Sequence, residues 1–178
     1  MSQHQPLRKD AYSVRKSSAG LGLYAEQPIK KWQKIIEYIG ERISAAEADK
    51  RGGKYLFEVN SRITIDGTAR YNTARYINHS CWANAEPREN RARIFAYATK
   101  NIAADEEITY DYGQVYWDYY IKPHGCKCTE CLAGRGRMAK LKKGKKTPPK
   151  KSSPKTKKKV EKNTTKKKNT KKTAKKKK

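Results

Sequence analysis

The 178-residue chain changes character at Gly134, and that break limits what can fold. All three tryptophans, all 12 tyrosines, both phenylalanines and all four cysteines precede it. Residues 135–178 hold 23 of the 43 basic residues and one of the 17 acids, which leaves 20 bases against 16 acids before residue 135. The first part is nearly neutral, carries a core-forming composition, and is expected to make one domain of ordinary size. The second is a polycation of Lys, Thr, Pro, Ser and Asn without hydrophobic periodicity. It cannot bury enough apolar surface to offset the entropy of ordering. Disorder is therefore expected there, with the folded domain ending near residue 134.

No apolar run is long enough to span a bilayer, so no membrane partner is expected. The first six residues, Met1 to Pro6, lack the apolar stretch of a secretory signal. A reducing compartment follows as the expectation, and the cysteines read as thiols or metal ligands rather than disulfides.

Short strand signals recur along the first 134 residues. Ala11–Val14 has a weak strand pattern, and Gly20 and Gly22 flank Leu21 in an arrangement suited to a turn or to close backbone approach to a ligand. Ile35–Gly40 reads as a buried strand. Ser44 and Glu47 fit a capping box, predicting a short helix that stops at Gly52-Gly53. Tyr55–Val59 and Ile63–Asp66 predict a hairpin, Thr73–Ile77 a helical turn, and Arg91–Ala98 a strand entered through a turn at Glu89-Asn90. Together these predict a mainly β fold of several small sheets with a few short helices.

Two stretches are too polar for ordinary core. Arg75-Tyr76-Ile77-Asn78-His79-Ser80-Cys81 packs an amide, an imidazole, a hydroxyl and a thiol into seven residues, groups that are costly to bury unless something satisfies them. Ile108–Gly113 places Tyr110 and Tyr112 two apart, so in a strand both phenols point to one side. Cys126, Cys128 and Cys131 put three thiols within six residues, and Cys81 is the only other cysteine. Structural zinc takes four such ligands, so these four predict a zinc site, with His124 as a substitute ligand and four free thiols as the plainer reading.

Taken in order, Gly20-Leu21-Gly22, Glu37–Glu41, Arg75–Cys81, Glu107–Gly113 and the cysteine cluster resemble the motifs of SET-domain protein-lysine methyltransferases. The resemblance implies a SET domain over 8–113, a cysteine-rich post-SET segment over 114–134 and a basic tail over 135–178. It also implies a pseudoknot that brings Asn78–Cys81 beside Tyr110–Tyr112. The cofactor implied is S-adenosyl-L-methionine, with the backbone of Ala19, Gly20, Leu21 and Gly22 at its methionine end. Asn78 and His79 would contact it, Tyr55 would line its site and Trp117 would pack on the adenine. Tyr112 matches the catalytic tyrosine of the family, Tyr38 lines the lysine channel, and Tyr76 and Ile77 form its walls. Tyr110 occupies a position where the family carries Phe or Tyr. A tyrosine there holds water and narrows the channel, which implies mono- and then dimethyl-lysine as products. The cysteine spacing is two residues shorter than the family's common C-x-C-x₄-C, and Ala83 stands where the family usually has proline.

The tail carries Thr147-Pro148-Pro149-Lys150 and Ser153-Pro154-Lys155, similar to linker-histone tails, and a disordered polycation binds phosphate backbones without sequence preference. The expected partners are a histone or another lysine-bearing protein and, through the tail, DNA or chromatin. The expected setting is the nucleus, or a bacterial nucleoid or host chromatin if the source is bacterial or viral. The competing reading is a non-catalytic chromatin-binding protein that keeps the same fold.

Overall fold

The computed structural model of the protein describes residues 5–143. The expectations for the tail beyond Lys143 lie outside the described residues. Among the described residues the ten strands are β1 (Tyr12–Ser17), β2 (Gly20–Ala25), β3 (Lys34–Tyr38), β4 (Glu41–Ser44), β5 (Leu56–Asn60), β6 (Ile63–Asp66), β7 (Asn78–His79), β8 (Ala85–Asn90), β9 (Arg93–Ala98) and β10 (Glu107–Tyr110). Between them lies the helix α1 (Ala45–Arg51), and after them come α2 (Gln114–Tyr116), α3 (Thr129–Leu132) and α4 (Arg137–Lys143). Three sheets result, with strand orders β1-β2-β10-β7, β3-β9-β8 and β4-β6-β5. This is the mainly β architecture that the sequence implies.

Leu23, Ile29, Ile35, Ile77, Ile102 and Ile108 are at most 1% exposed and form the centre shared by these sheets. Each buried aliphatic of this kind contributes roughly 1.5–3 kcal/mol, so the core rather than the surface ion pairs carries the fold. Helix α1 starts where predicted, with the Glu47 N–H donating to Ser44 Oγ at 3.2 Å. The Glu47 carboxylate does not complete the capping box; it pairs with Arg51 at 2.8 Å.

Two expectations give way. The β8–β9 turn lies at Arg91-Ala92, both at positive φ (52° and 57°), because Asn90 still pairs with Arg93. Strand β8 contains Pro87 and no apolar alternation, which hides an edge strand from periodicity. The chain also stays ordered past residue 134. Gly136 is buried against Cys131, where an added Cβ would fall 2.3 Å from the sulfur, and α4 follows directly.

What positions the site is the pairing of β7 with β10. It is parallel, with Asn78 opposite Thr109 and His79 opposite Tyr110. The Ser80 N–H then donates to the Tyr110 carbonyl and the Asn84 N–H to that of Thr109, at 3.1 and 3.2 Å. Two segments about thirty residues apart in sequence are therefore laced together at the centre of the domain.

Candidate active site

Ile108 and Tyr110 alternate inward from β10, and Tyr112 continues that side just past the strand end, so its ring lies 5.2 Å from that of Tyr110. The Tyr112 hydroxyl donates to the Ile77 carbonyl at 2.7 Å, and its backbone N–H donates to His79 Nδ1 at 3.2 Å. With Nδ1 accepting, neutral His79 carries its proton on Nε2, which lies 3.6 Å from Cys81 Sγ. Burial holds the His79 pKa below its ordinary value, and burial pushes the Tyr38, Tyr110 and Tyr112 phenols above theirs.

Asn78 stitches three segments together. Its amide nitrogen faces the Leu21 carbonyl at 2.9 Å, Ser17 Oγ at 3.0 Å and Glu107 Oε1 at 2.7 Å. The nitrogen is thereby spent on the protein, and only the side-chain oxygen is left for a ligand. Gly22 belongs to this junction rather than to a ligand surface, since a Cβ there would fall 2.3 Å from Glu107 Oε1. Gly20 has φ +119°, the left-handed freedom that the tight β1–β2 turn requires.

Around this junction opens a cavity of about 790 Å³, within the usual range for small-molecule sites. Of the residues the sequence singles out, Ala19, Leu21, Tyr38, Tyr55, Tyr76, Asn78, His79, Tyr110 and Tyr112 line it. Tyr38 is fixed there by donating to the Tyr55 carbonyl at 2.9 Å and by Gly67, whose Cβ would fall 2.4 Å from the phenol oxygen. Ile77 is buried behind the wall and contributes its carbonyl. Gly20, Gly22 and Trp117 are not on the wall.

Trp117, expected on the adenine, is instead 3% exposed among the thiols, with its ring 5.5 Å from that of His79. Helix α2 runs into a π-helical turn, Trp117–Ile121, and it is Tyr116 and Tyr120 that face the cavity. Their rings extend a ladder from Tyr112, each step 4.7 Å. The spacing 112, 116, 120 was visible in the sequence, but only a helix phased toward the cavity gives it meaning.

Arg75 also escaped the sequence reading as a site residue. Its guanidinium stacks 4.0 Å from the Tyr55 ring centroid on the cavity wall, and its buried Nε has no partner among the described residues. A guanidinium at a cavity wall suits a ligand with an anionic group. A second recess of about 530 Å³ adjoins the first, walled by Lys100, Glu106, Glu107 and Glu130 but by none of the tyrosines.

Cys81, Cys126, Cys128 and Cys131 converge, their sulfurs all within 4.8 Å of one another. Cys81 Sγ is 3.6 Å from that of Cys131 and 4.0 Å from that of Cys126. Tetrahedral zinc with Zn–S near 2.3 Å needs sulfurs about 3.8 Å apart, so the set can hold a metal ion. Burial pushes the Cys81 thiol up to about 12 and raises Cys126 as well. Cys128 moves down despite its burial, helped by the Cys131 N–H, which donates to its sulfur at 3.4 Å. His124 lines the cavity and is not part of the thiol cluster.

Comparison with known proteins agrees with this geometry. The SET domain family model matches residues 20–113. A "Histone-lysine N-methyltransferase, H3 lysine-4 specific" of Aspergillus fumigatus is 37% identical over 145 residues, covering 73% of this chain and 12% of its own length. The protein of the same description from Yarrowia lipolytica is 39% identical over 146 residues, with 75% and 12% covered. That of Saccharomyces cerevisiae is 38% identical over 125 residues, with 63% and 12% covered. The chain thus spans about an eighth of the length of these relatives.

Proposed function

The chain belongs to the SET domain family, and from that premise we propose that it is an S-adenosylmethionine-dependent protein-lysine N-methyltransferase acting on histone H3 or a histone-like protein. The observation that carries the reading is the meeting of Tyr112 with Asn78 and His79 at one cavity walled by tyrosines. The cofactor, when bound, supplies an electrophilic sulfonium methyl group.

The residues present fit it. The Arg75 guanidinium on the cavity wall would pair with the carboxylate, and the Asn78 side-chain oxygen, with backbone carbonyls near Ala19 and Leu21, would accept from the ammonium. Tyr55 and His79 would complete its wall. Tyrosine faces and carbonyl oxygens are suitable neighbours for a cationic methyl.

Tyr38, Tyr110 and Tyr112 would surround the incoming lysine. A free lysine, with pKa about 10.4, is nearly all protonated at neutral pH. An aromatic, dehydrated channel disfavours the ammonium and yields the neutral amine that can attack. Holding amine and methyl in line is then the main work of the wall. Because burial keeps these phenols neutral where free tyrosine would ionise, kcat/KM should rise with pH until about 10, following the lysine. A pH–rate profile with a falling limb between pH 8 and 9.5 would contradict this.

Among the described residues, the Tyr110 hydroxyl makes no hydrogen bond, and it borders the cavity. It is available to hold a water that occupies the space of further methyl groups, so mono- and then dimethyl-lysine are the expected products. Tyr110→Phe should shift the product toward di- and trimethyl-lysine, read by mass spectrometry of the peptide. Abundant trimethylation by the unaltered chain would exclude this role.

One zinc ion on Cys81, Cys126, Cys128 and Cys131 would pin the segment after α2 to the pseudoknot. Action on H3 places the protein at chromatin, and the basic residues beyond Lys143 would anchor it to DNA by counterion release. Incubation with methyl-labelled cofactor and each core histone, followed by mapping of the modified lysine, tests the substrate. Label confined to H3 is expected, and no label on any histone would refute the substrate class.

A further inference from the structure

Helix α4 begins the lysine-rich part of the chain, yet its first residue is bound into the catalytic junction. That residue is Arg137. Its guanidinium lies 5.2 Å from the Trp117 ring centroid, and Nη2 donates to Asp111 Oδ2. Asp111 immediately precedes Tyr112. Its other oxygen accepts from the Gly113 N–H at 3.0 Å and lies 3.6 Å from His79 Nδ1. Met138 packs beside Arg137 against Trp117 and the thiols. The start of one helix therefore touches the thiol cluster through Met138, and the buried tryptophan and the turn that carries the tyrosine through Arg137.

We propose that Arg137 is a positioning residue for methyl transfer, clamping the Asp111-Tyr112-Gly113 turn so that the Tyr112 hydroxyl stays on the Ile77 carbonyl. The turn has few restraints of its own. Strand β10 ends at Tyr110, and Gly113 has φ +87°, a conformation without side-chain resistance to motion. What holds it are the Gly113–Asp111 and Tyr112–His79 bonds, the Tyr112 hydroxyl on Ile77, the Trp117 N–H on the Gly113 carbonyl and the Arg137–Asp111 ion pair. A half-buried surface ion pair adds modestly to global stability, so the effect of losing this one falls on placement more than on folding. Misplacement of a reacting group by an ångström can cost up to about a hundredfold in rate. The inference rests on the reading of Tyr112 as the methyl-transfer tyrosine, but its structural half does not need that reading.

Full-length chains carrying Arg137→Gln, Arg137→Lys and Asp111→Asn are the test. Asn at 111 keeps the oxygen that binds the Gly113 N–H and replaces the one that accepts from Arg137 with an NH2 donor. Hydrogen exchange of the 108–113 segment should speed up about fivefold or more in Arg137→Gln and in Asp111→Asn, with Arg137→Lys closer to the parent. The double variant Asp111→Asn with Arg137→Gln should be no faster than either alone. With a histone H3 peptide, kcat should fall about tenfold while the Kd for S-adenosylmethionine and the zinc content stay within about twofold. Unchanged exchange at 108–113 overturns the clamp. So does a loss of kcat accompanied by lost zinc, which would mark Arg137 as structural support for the cluster. Accelerated exchange in a chain that transfers no methyl group even when unaltered would leave the clamp standing and refute the proposed activity instead.

Discussion

Tyr112→Phe is expected to lower kcat for lysine methylation by about 10²–10³-fold while the Kd for S-adenosylmethionine changes by less than about threefold. The phenyl ring keeps its contacts with Tyr110 and Tyr116, so the cavity walls survive. Only the hydroxyl goes. In the parent chain that hydroxyl spends its proton on the Ile77 carbonyl, which fixes its oxygen lone pairs toward the cavity. The carbonyl left behind loses one hydrogen bond, worth about 1 kcal/mol of stability, too little to unfold the domain. Steady-state kinetics beside calorimetric binding of the cofactor separates the two effects. A variant that keeps more than a tenth of the parent kcat would remove Tyr112 from the chemistry.

The second large effect concerns the thiol cluster. If the proposed zinc is bound there, stripping it with a strong chelator should lower Tm by about 10 °C or more, because structural zinc in small sites contributes about 10–16 kcal/mol of apparent binding free energy. The loss should be local at first. Residues beyond Tyr112 reach the rest of the domain chiefly through Trp117 and Met138 packed on the cysteines, and through Arg137. Limited proteolysis should then cut after Gly113 while Tyr12–Tyr110 stays protected, and Cys128→Ser should behave like the stripped chain. One zinc per chain by elemental analysis is expected. A purified chain without metal that melts at the same temperature as one loaded with zinc would contradict the assignment.

Much of this arrangement was legible because its parts are expensive. Asn78, His79 and Cys81 are polar groups in a run otherwise fit for a core, and paired tyrosines at 110 and 112 share one strand face. Both demand partners that local structure cannot supply. The capping serine at 44 and the glycines at 52 and 53 announce α1 by local chemistry alone. What escaped depends on tertiary contact. Arg137–Lys143 reads as the start of a solvated tail, and only Gly136 against Cys131 and Arg137 against Asp111 make it a packed helix. Trp117 reads as a cofactor-stacking ring, but the residue before it, Tyr116, takes the cavity face and turns the tryptophan toward the cysteines. Arg75 reads as part of a polar motif, and only the fold stacks its guanidinium on Tyr55 at the cavity wall.

If the proposed reaction holds, the cofactor would sit on the Ala19–Asn78–Arg75 side of the cavity and the lysine would enter between Tyr38 and Tyr110. A crystal structure with S-adenosylhomocysteine and a histone H3 tail peptide measures this directly. The expected result has the thioether sulfur and the lysine amine approaching each other at the Tyr112 hydroxyl from those two sides. Density for either molecule anywhere else, with the tyrosine-lined cavity holding only water, would contradict it.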